Sequence, residues 1–291
     1  QIVQPAVKWL KHLGMDDGQL AKLLASLPSV LTLSVERTLE PKLKWFKDFG
    51  MDNQQVAKAL VRCPALLSSS LEKKFKPSSQ WLKELGMDDQ QVATTFARFP
   101  ALFGCRLEKK LKPTLQWLKE LGMDEQQVAK TLARFPALFG CRLEKKLKPT
   151  LQWLKELGMD EQQVAKTLAR FPALFGYSLE KKLKPTSQWL KELGMDDQQV
   201  AKTIAGFPAN LGLSLEKNLQ PKLQAMRNGG FADTQLVNLL VRFPRLLSSR
   251  LDLLRHRMDV LAAQGLLTEQ SFRNSIVLTE AKFAARFEGA D

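Results

Sequence analysis

The stretch ARFPALFGCRLEKKLKPT, residues 97–114, returns unchanged at 133–150. A catalytic centre needs each of its groups once. A verbatim echo holding Arg, Phe-Pro and a lysine run in phase points instead to a surface made by stacking copies. Working outward, prolines stand at 5, 41, 77, 113, 149, 185 and 221, each 36 residues after the last. Prolines 28, 64, 100, 136, 172, 208 and 244 keep the same step, as do glycines 14, 50, 86, 122, 158, 194 and 230. Seven units in register are the signature of a solenoid. Counted from the first set of prolines, repeats one to seven begin at Pro5, Pro41, Pro77, Pro113, Pro149, Pro185 and Pro221.

Within the unit, Leu107, Leu111, Leu115 and Leu118 follow the spacing of one helical face, with Lys109, Lys112, Gln116 and Lys119 as a polar stripe beside it. Pro113 either opens this helix or kinks a longer one. The pattern favours a kinked helix ending at Gly122, a residue suited to a C-terminal cap. Asp124 with Gln127 reads as a capping box opening a second helix, whose Val128, Leu132 and Phe135 face inward before Pro136 stops it. ALFG then leaves room for a single 3₁₀ turn. The expected fold is all-α: a right- or left-curved α-solenoid (superhelix) of about seven 36-residue repeats, two helices and a short turn each. Residues 1–256 form one elongated array. Residues 257–291, where Arg257 replaces the next proline, form a divergent capping segment.

The chain has 291 residues, 44% of them hydrophobic, and Lys plus Arg number 44 against 30 Asp plus Glu, a formal charge of +14. Such a surplus favours polyanionic partners, whether DNA, RNA or an anionic membrane surface. By repeat it lies in two to five and seven. No apolar run approaches a membrane span, so no membrane insertion is expected. No signal or transit segment is visible at Gln1, which carries little weight because the chain starts inside a repeat. Cys63, Cys105 and Cys141 lack any CxxC spacing and read as buried, reduced thiols.

The phrases VRCPALLSSSLEKKFKPSSQWLKELG at 61–86 and VRFPRLLSSRLDLL at 241–254, and the ending LTEAKFAARF at 278–287, resemble the repeats of the mitochondrial transcription termination factor (mTERF) family. The resemblance covers nearly the whole chain. It implies a non-catalytic superhelix in an organelle, mitochondrion ahead of chloroplast, that binds duplex DNA or RNA through a basic concave groove. The implied roles are transcription control, RNA maturation, or service as an rRNA-binding accessory component of the organellar ribosome. Repeats four and five depart from the family's variety, because they differ only at Cys141/Tyr177 and Arg142/Ser178.

Stacking turns each basic position into a row. Arg62, Arg98, Arg134, Arg170 and Arg242 precede the Phe-Pro pair, or Cys-Pro once, and Gly206 interrupts them. Lys58, Lys130, Lys166 and Lys202 stand four residues earlier, on the same helix face. Lys73, Lys109, Lys145 and Lys181 make a third row, and Arg106 and Arg142 replace the serine that a helix N-cap prefers. These fifteen residues are the candidate nucleic-acid contacts. With rungs about 10 Å apart and a duplex rising ~3.4 Å per base pair, one repeat spans roughly three base pairs. The competing account of any single lysine is a solvated helix face, with Glu108 pairing locally to Lys112. The tryptophans at 9, 45, 81, 117, 153 and 189, and each Phe before a proline, read as core. In repeat six, Asn210 stands where neighbours have leucine, marking a bend or a drifted copy.

No catalytic residue, metal ligand or cofactor is expected. The chain has two histidines, no phosphate-binding glycine loop, and no nucleophile–base set. Two functions compete: a module gripping the phosphates of structured RNA such as rRNA, or of double-stranded DNA, and a protein–protein scaffold using the concave surface. The first needs a continuous basic surface, the second exposed apolar patches between the charge rows. Proteins are a further expected partner at the neutral chain ends.

Overall fold

The computed structural model describes residues 3–289, and all regular structure in them is helical. The stretch 107–142 shows the unit. A π-helical turn at Leu107–Leu111 runs without a break into the first helix, Lys112–Glu120; a tight loop leads to the second helix, Glu125–Arg134. A one-turn helix, Ala137–Gly140, then reaches the next unit. That short turn is α-helical here and in repeat three, and 3₁₀ in the other repeats.

The π turn is the local answer to proline. Pro113 has no N–H to donate, and its ring crowds the carbonyl one turn back. The Lys112 amide reaches the carbonyl of Leu107, five residues earlier, and widens the turn. The same turn precedes Pro41, Pro77, Pro149, Pro185 and Pro221. Where Arg257 stands in proline's place, Leu251–Ala263 starts directly as an α-helix.

Both ends of the connecting loop follow side-chain chemistry. Gly122 has a φ of 82°, its amide donates to Lys119 O at 2.9 Å, and the Met123 amide donates to Leu118 O at 3.2 Å. This double bond pattern closes the helix and needs a residue tolerant of positive φ. Asp124 Oδ1 accepts from the Gln127 amide at 2.8 Å while Gln127 Oε1 accepts from the Asp124 amide at 3.1 Å, the reciprocal box that the sequence predicts.

Helix burial differs in part from expectation. Leu111 and Leu118 are fully buried, but Leu107 and Leu115 are half-buried, and the inner face passes through Thr114 and Trp117 instead. The wide turn rotates the face. Thr114 is tolerated inside because its hydroxyl donates to Lys110 O at 2.9 Å. Five of the six tryptophans are buried, with Trp45 half-buried among Phe46, Phe75 and Phe96. Phe99, Phe135, Phe171, Phe207 and Phe243, expected in the core, are half-buried. The phenylalanines of the short turn, Phe103, Phe139 and Phe175, are fully buried instead, as are Phe46, Phe75 and Phe96 on the helices. The cysteines are free thiols but half-buried rather than buried.

The packing falls into two compact units, Gln1–Lys145 and Lys146–Asp291. In the first, the second helices Asp17–Ser26, Asn53–Arg62, Asp89–Arg98 and Glu125–Arg134 stack in sequence order. In the second, Glu161–Arg170, Asp197–Gly206 and Asp233–Arg242 do the same. Glu269–Ile276 packs on both Leu251–Ala263 and Asp233–Arg242, covering the last repeat with Phe272. Arg257 is 1% exposed; its Nη2 donates to Leu278 O at 2.9 Å and its guanidinium lies 4.6 Å from the Phe283 ring centre.

Candidate nucleic-acid interface

The connectivity sorts each repeat's charges into two ends. At the end holding the Gly-Met-Asp loop, the first helix finishes with a cation and the second begins with a carboxylate. They pair in Lys11–Asp17, Lys83–Asp89, Lys119–Glu125, Lys155–Glu161, Lys191–Asp197 and Arg227–Asp233, at 2.5–2.9 Å. In the last of these the arginine holds the Asp233 carboxyl below its ordinary range through a side-chain hydrogen bond. This end is neutralised.

The opposite end carries the surplus. There the second helix finishes, the Phe-Pro turn follows, and the π turn begins the next first helix. The carboxylate of that turn is held by a lysine one turn on, as in Glu72–Lys76, Glu108–Lys112 and Glu180–Lys184 at 2.6 Å. The candidate residues remain around it. Lys58, Lys130, Lys166, Lys202, Lys73, Lys109, Lys145 and Lys181 are exposed and have no carboxylate partner among the described residues. Arg106 and Arg142 are exposed at the same end. The lysine at the second-helix position lies one turn inside it, on the face also carrying the arginine row.

The arginine row has a further partner that residue types alone did not reveal. Arg62 Nη1 donates to Ala97 O at 3.0 Å and Arg98 Nη1 to Ala133 O at 3.1 Å. In the second unit Arg170 reaches Ala205 O and Gly206 O, each at 3.4 Å. Each guanidinium therefore sits over the terminal carbonyls of the next repeat's second helix, where a cation is favoured. Arg134 and Arg242 are exposed like the rest. At Gly206, which breaks the row, a Cβ would come within 2.8 Å of Pro244 Cγ.

The serine position behaves as a cap where serine is present. Ser34, Ser70, Ser178 and Ser214 accept from the amides of Arg37, Lys73, Lys181 and Lys217 at 3.1–3.2 Å. Arg106 makes no such bond. Arg106, Lys109, Arg142 and Lys145, drawn from two of the sequence rows, converge on one open cleft of about 630 Å³.

Two lysines counted in the basic surplus lie inside. Lys42 and Lys222 occupy the position held by Ser78, Thr114, Thr150 and Thr186, and are 4% and 5% exposed. Their ammonium groups donate to the carbonyls of Leu67 and Leu247 in the next turn. Burial lowers both pKa values, that of Lys42 to about 8. The signal was the small residue that the other repeats keep there.

Among the described residues no group of His, Cys, Asp and Glu is placed to hold a metal, and no helix is long and apolar enough to cross a membrane. An all-helical array of repeats, most with an ion-paired loop end and a basic Phe-Pro end, defines a class: helical-repeat proteins with segregated surface charge. The mTERF family model matches residues 7–267, most of the chain, and the chain belongs to the mTERF family. Members are organellar, bind nucleic acid and are not catalysts. No curated protein matches the chain.

Proposed function

We propose that this protein grips RNA or duplex DNA by its phosphates, using the basic ends of its repeats, in organelle gene expression. The observation that carries this is the segregation of charge: the loop end of six of the seven repeats is closed by an ion pair, while the Phe-Pro end keeps unpaired lysines and exposed arginines. The fifteen candidate residues are the proposed contacts, within an array over 1–256 acting as one binding domain and capped by 257–291. Near-identical repeats suit a regular backbone better than a varied base sequence. The proposed targets are structured RNA such as rRNA, or double-stranded DNA, in the mitochondrion ahead of the chloroplast; the proposed roles are transcription control, RNA maturation, or service as an rRNA-binding accessory component of the organellar ribosome.

The scaffold alternative has less support. Large apolar side chains exposed among the described residues are Leu266 and Val277, both beyond the repeats. They favour a protein contact at the chain's end rather than along the rows. The test is binding of labelled duplex DNA and structured RNA across a salt series. Affinity should fall steeply and linearly on logarithmic axes. Binding that ignores salt, or no binding to either polymer, would overturn the reading.

A further inference from the structure

Repeats four and five are identical except at 141/177 and 142/178, where one has Cys-Arg and the other Tyr-Ser. Cys-Arg also stands at 105–106 in repeat three. The difference is therefore confined to one spot at the basic end, and it carries a penalty. Ser178 caps its helix through the Lys181 amide, whereas Arg106 supplies no cap. Tyr177 packs its hydroxyl close to Gly212, where a Cβ would lie 2.5 Å from it, so the Tyr-Ser version is a closed structural pair. The Cys-Arg version leaves a cleft.

That cleft, about 630 Å³, is lined by Arg106, Lys109, Lys110, Arg142 and Lys145, with Glu144 the carboxylate on its wall. Thr114 and Leu143 contribute to its lining. None of the five cations has an ion-pair partner among the described residues, and the nearby Glu108 is held by Lys112 at 2.6 Å. Five positive groups around a concavity focus a field that one carboxylate does not cancel. Two planar guanidinium forks match the oxygens of a phosphate, and the volume falls in the range of small-ligand clefts.

We propose that this cleft is a phosphate subsite that sets register: it takes one phosphate group of the bound nucleic acid and fixes the strand against an otherwise uniform array. The inference rests on the phosphate-gripping reading above. It answers a difficulty in that reading, because repeats four and five taken alone offer a regular backbone equivalent positions 36 residues apart in sequence.

The test uses the intact chain and the double variant Arg106→Ser/Arg142→Ser, which restores the serine of the sister repeats and so favours folding. Calorimetric titration with inorganic pyrophosphate should show saturable binding to the wild type, weakened by roughly tenfold or more in the variant. Hydroxyl-radical footprints on RNA or duplex DNA should be sharp for the wild type and smeared for the variant. Preference for a 5′-phosphorylated over a 5′-hydroxyl oligonucleotide assigns the subsite to a terminal phosphate, and equal binding assigns it to an internal phosphodiester. Unchanged pyrophosphate affinity in the variant, or an unchanged footprint, overturns the inference and leaves general nucleic-acid binding intact. Pyrophosphate binding lost in the variant, with no nucleic acid bound by the wild type, would instead overturn the functional reading and leave the subsite standing.

Discussion

The Arg62 guanidinium donates from Nη1 to the carbonyl of Ala97, 3.0 Å away, at the end of the second helix one repeat further on. The two residues are 35 apart in sequence, and Arg98 repeats the arrangement with Ala133. Such an arginine is a strut between neighbouring helices as well as an exposed positive charge. Lys58, one turn earlier on the same face, has no such bond and carries charge alone.

This separates two single-charge deletions. Arg62→Gln should lower unfolding stability by about 1 kcal/mol, the worth of a charge-assisted bond at a helix C-terminus, and weaken nucleic-acid binding as well. Lys58→Gln should weaken binding with a stability change within about 0.5 kcal/mol. Urea unfolding read beside binding anisotropy checks both. Equal stability for the two variants would show that the strut contributes nothing.

Asn210 should respond in the opposite direction. It fills a core position that is Leu102, Leu138 or Leu174 in neighbouring repeats, and its Nδ2 donates to Pro244 O at 2.6 Å. Its Oδ1 is buried without a partner, beside a void of about 10 Å³ that Leu190 and Ile204 help to wall. Asn210→Leu removes the unsatisfied oxygen and adds apolar burial. Stability should rise by about 1 kcal/mol, read as an increased urea midpoint at unchanged m.

How much of this was legible depended on how local the chemistry was. The 36-residue period was readable because seven copies repeat it, and the Gly122 cap and the Asp124–Gln127 box because each is fixed within a few residues. The kink at Pro113 was readable; its resolution as a π turn was not, and the contrast with Arg257 shows that proline sets it. The strut from Arg62 was hidden because its acceptor is a backbone carbonyl, which has no residue type. Lys42 and Lys222 were counted in the basic surplus because nothing in a lysine announces burial. Only the threonines and serine at the matching positions gave that away.

Lys42 makes stability depend on pH in the alkaline range. Its pKa is about 8 in the folded chain, against 10.5 for an ordinary lysine, and the cause is burial. Between these values the unfolded chain binds the proton and the folded chain releases it. Stability therefore rises with pH across that window, and the whole penalty is present below pH 8, with an upper figure of roughly 3 kcal/mol. Lys42→Met should flatten the rise between pH 8 and pH 10 relative to the wild type. Parallel curves for the two proteins in urea unfolding would show that the ammonium is not desolvated.

The division of charge between the repeat ends makes the last prediction, for two lysines eleven residues apart in one repeat. Lys119 is held by Glu125 at 2.6 Å at the neutralised end, while Lys130 has no carboxylate partner and stands on the face carrying the arginine row. Both substitutions to glutamine remove one charge, so net charge alone predicts equal effects. Contact with phosphate predicts unequal ones, because only a cation that displaces a counterion contributes to the salt slope. Lys130→Gln should reduce the slope of log K against log salt by about 0.7–0.9, the value for one phosphate on a single or double strand. Lys119→Gln should leave the slope unchanged and weaken binding only slightly at low salt, through the long-range field that salt screens. Equal slopes for the two variants would place the nucleic acid elsewhere than on the Phe-Pro ends of the repeats.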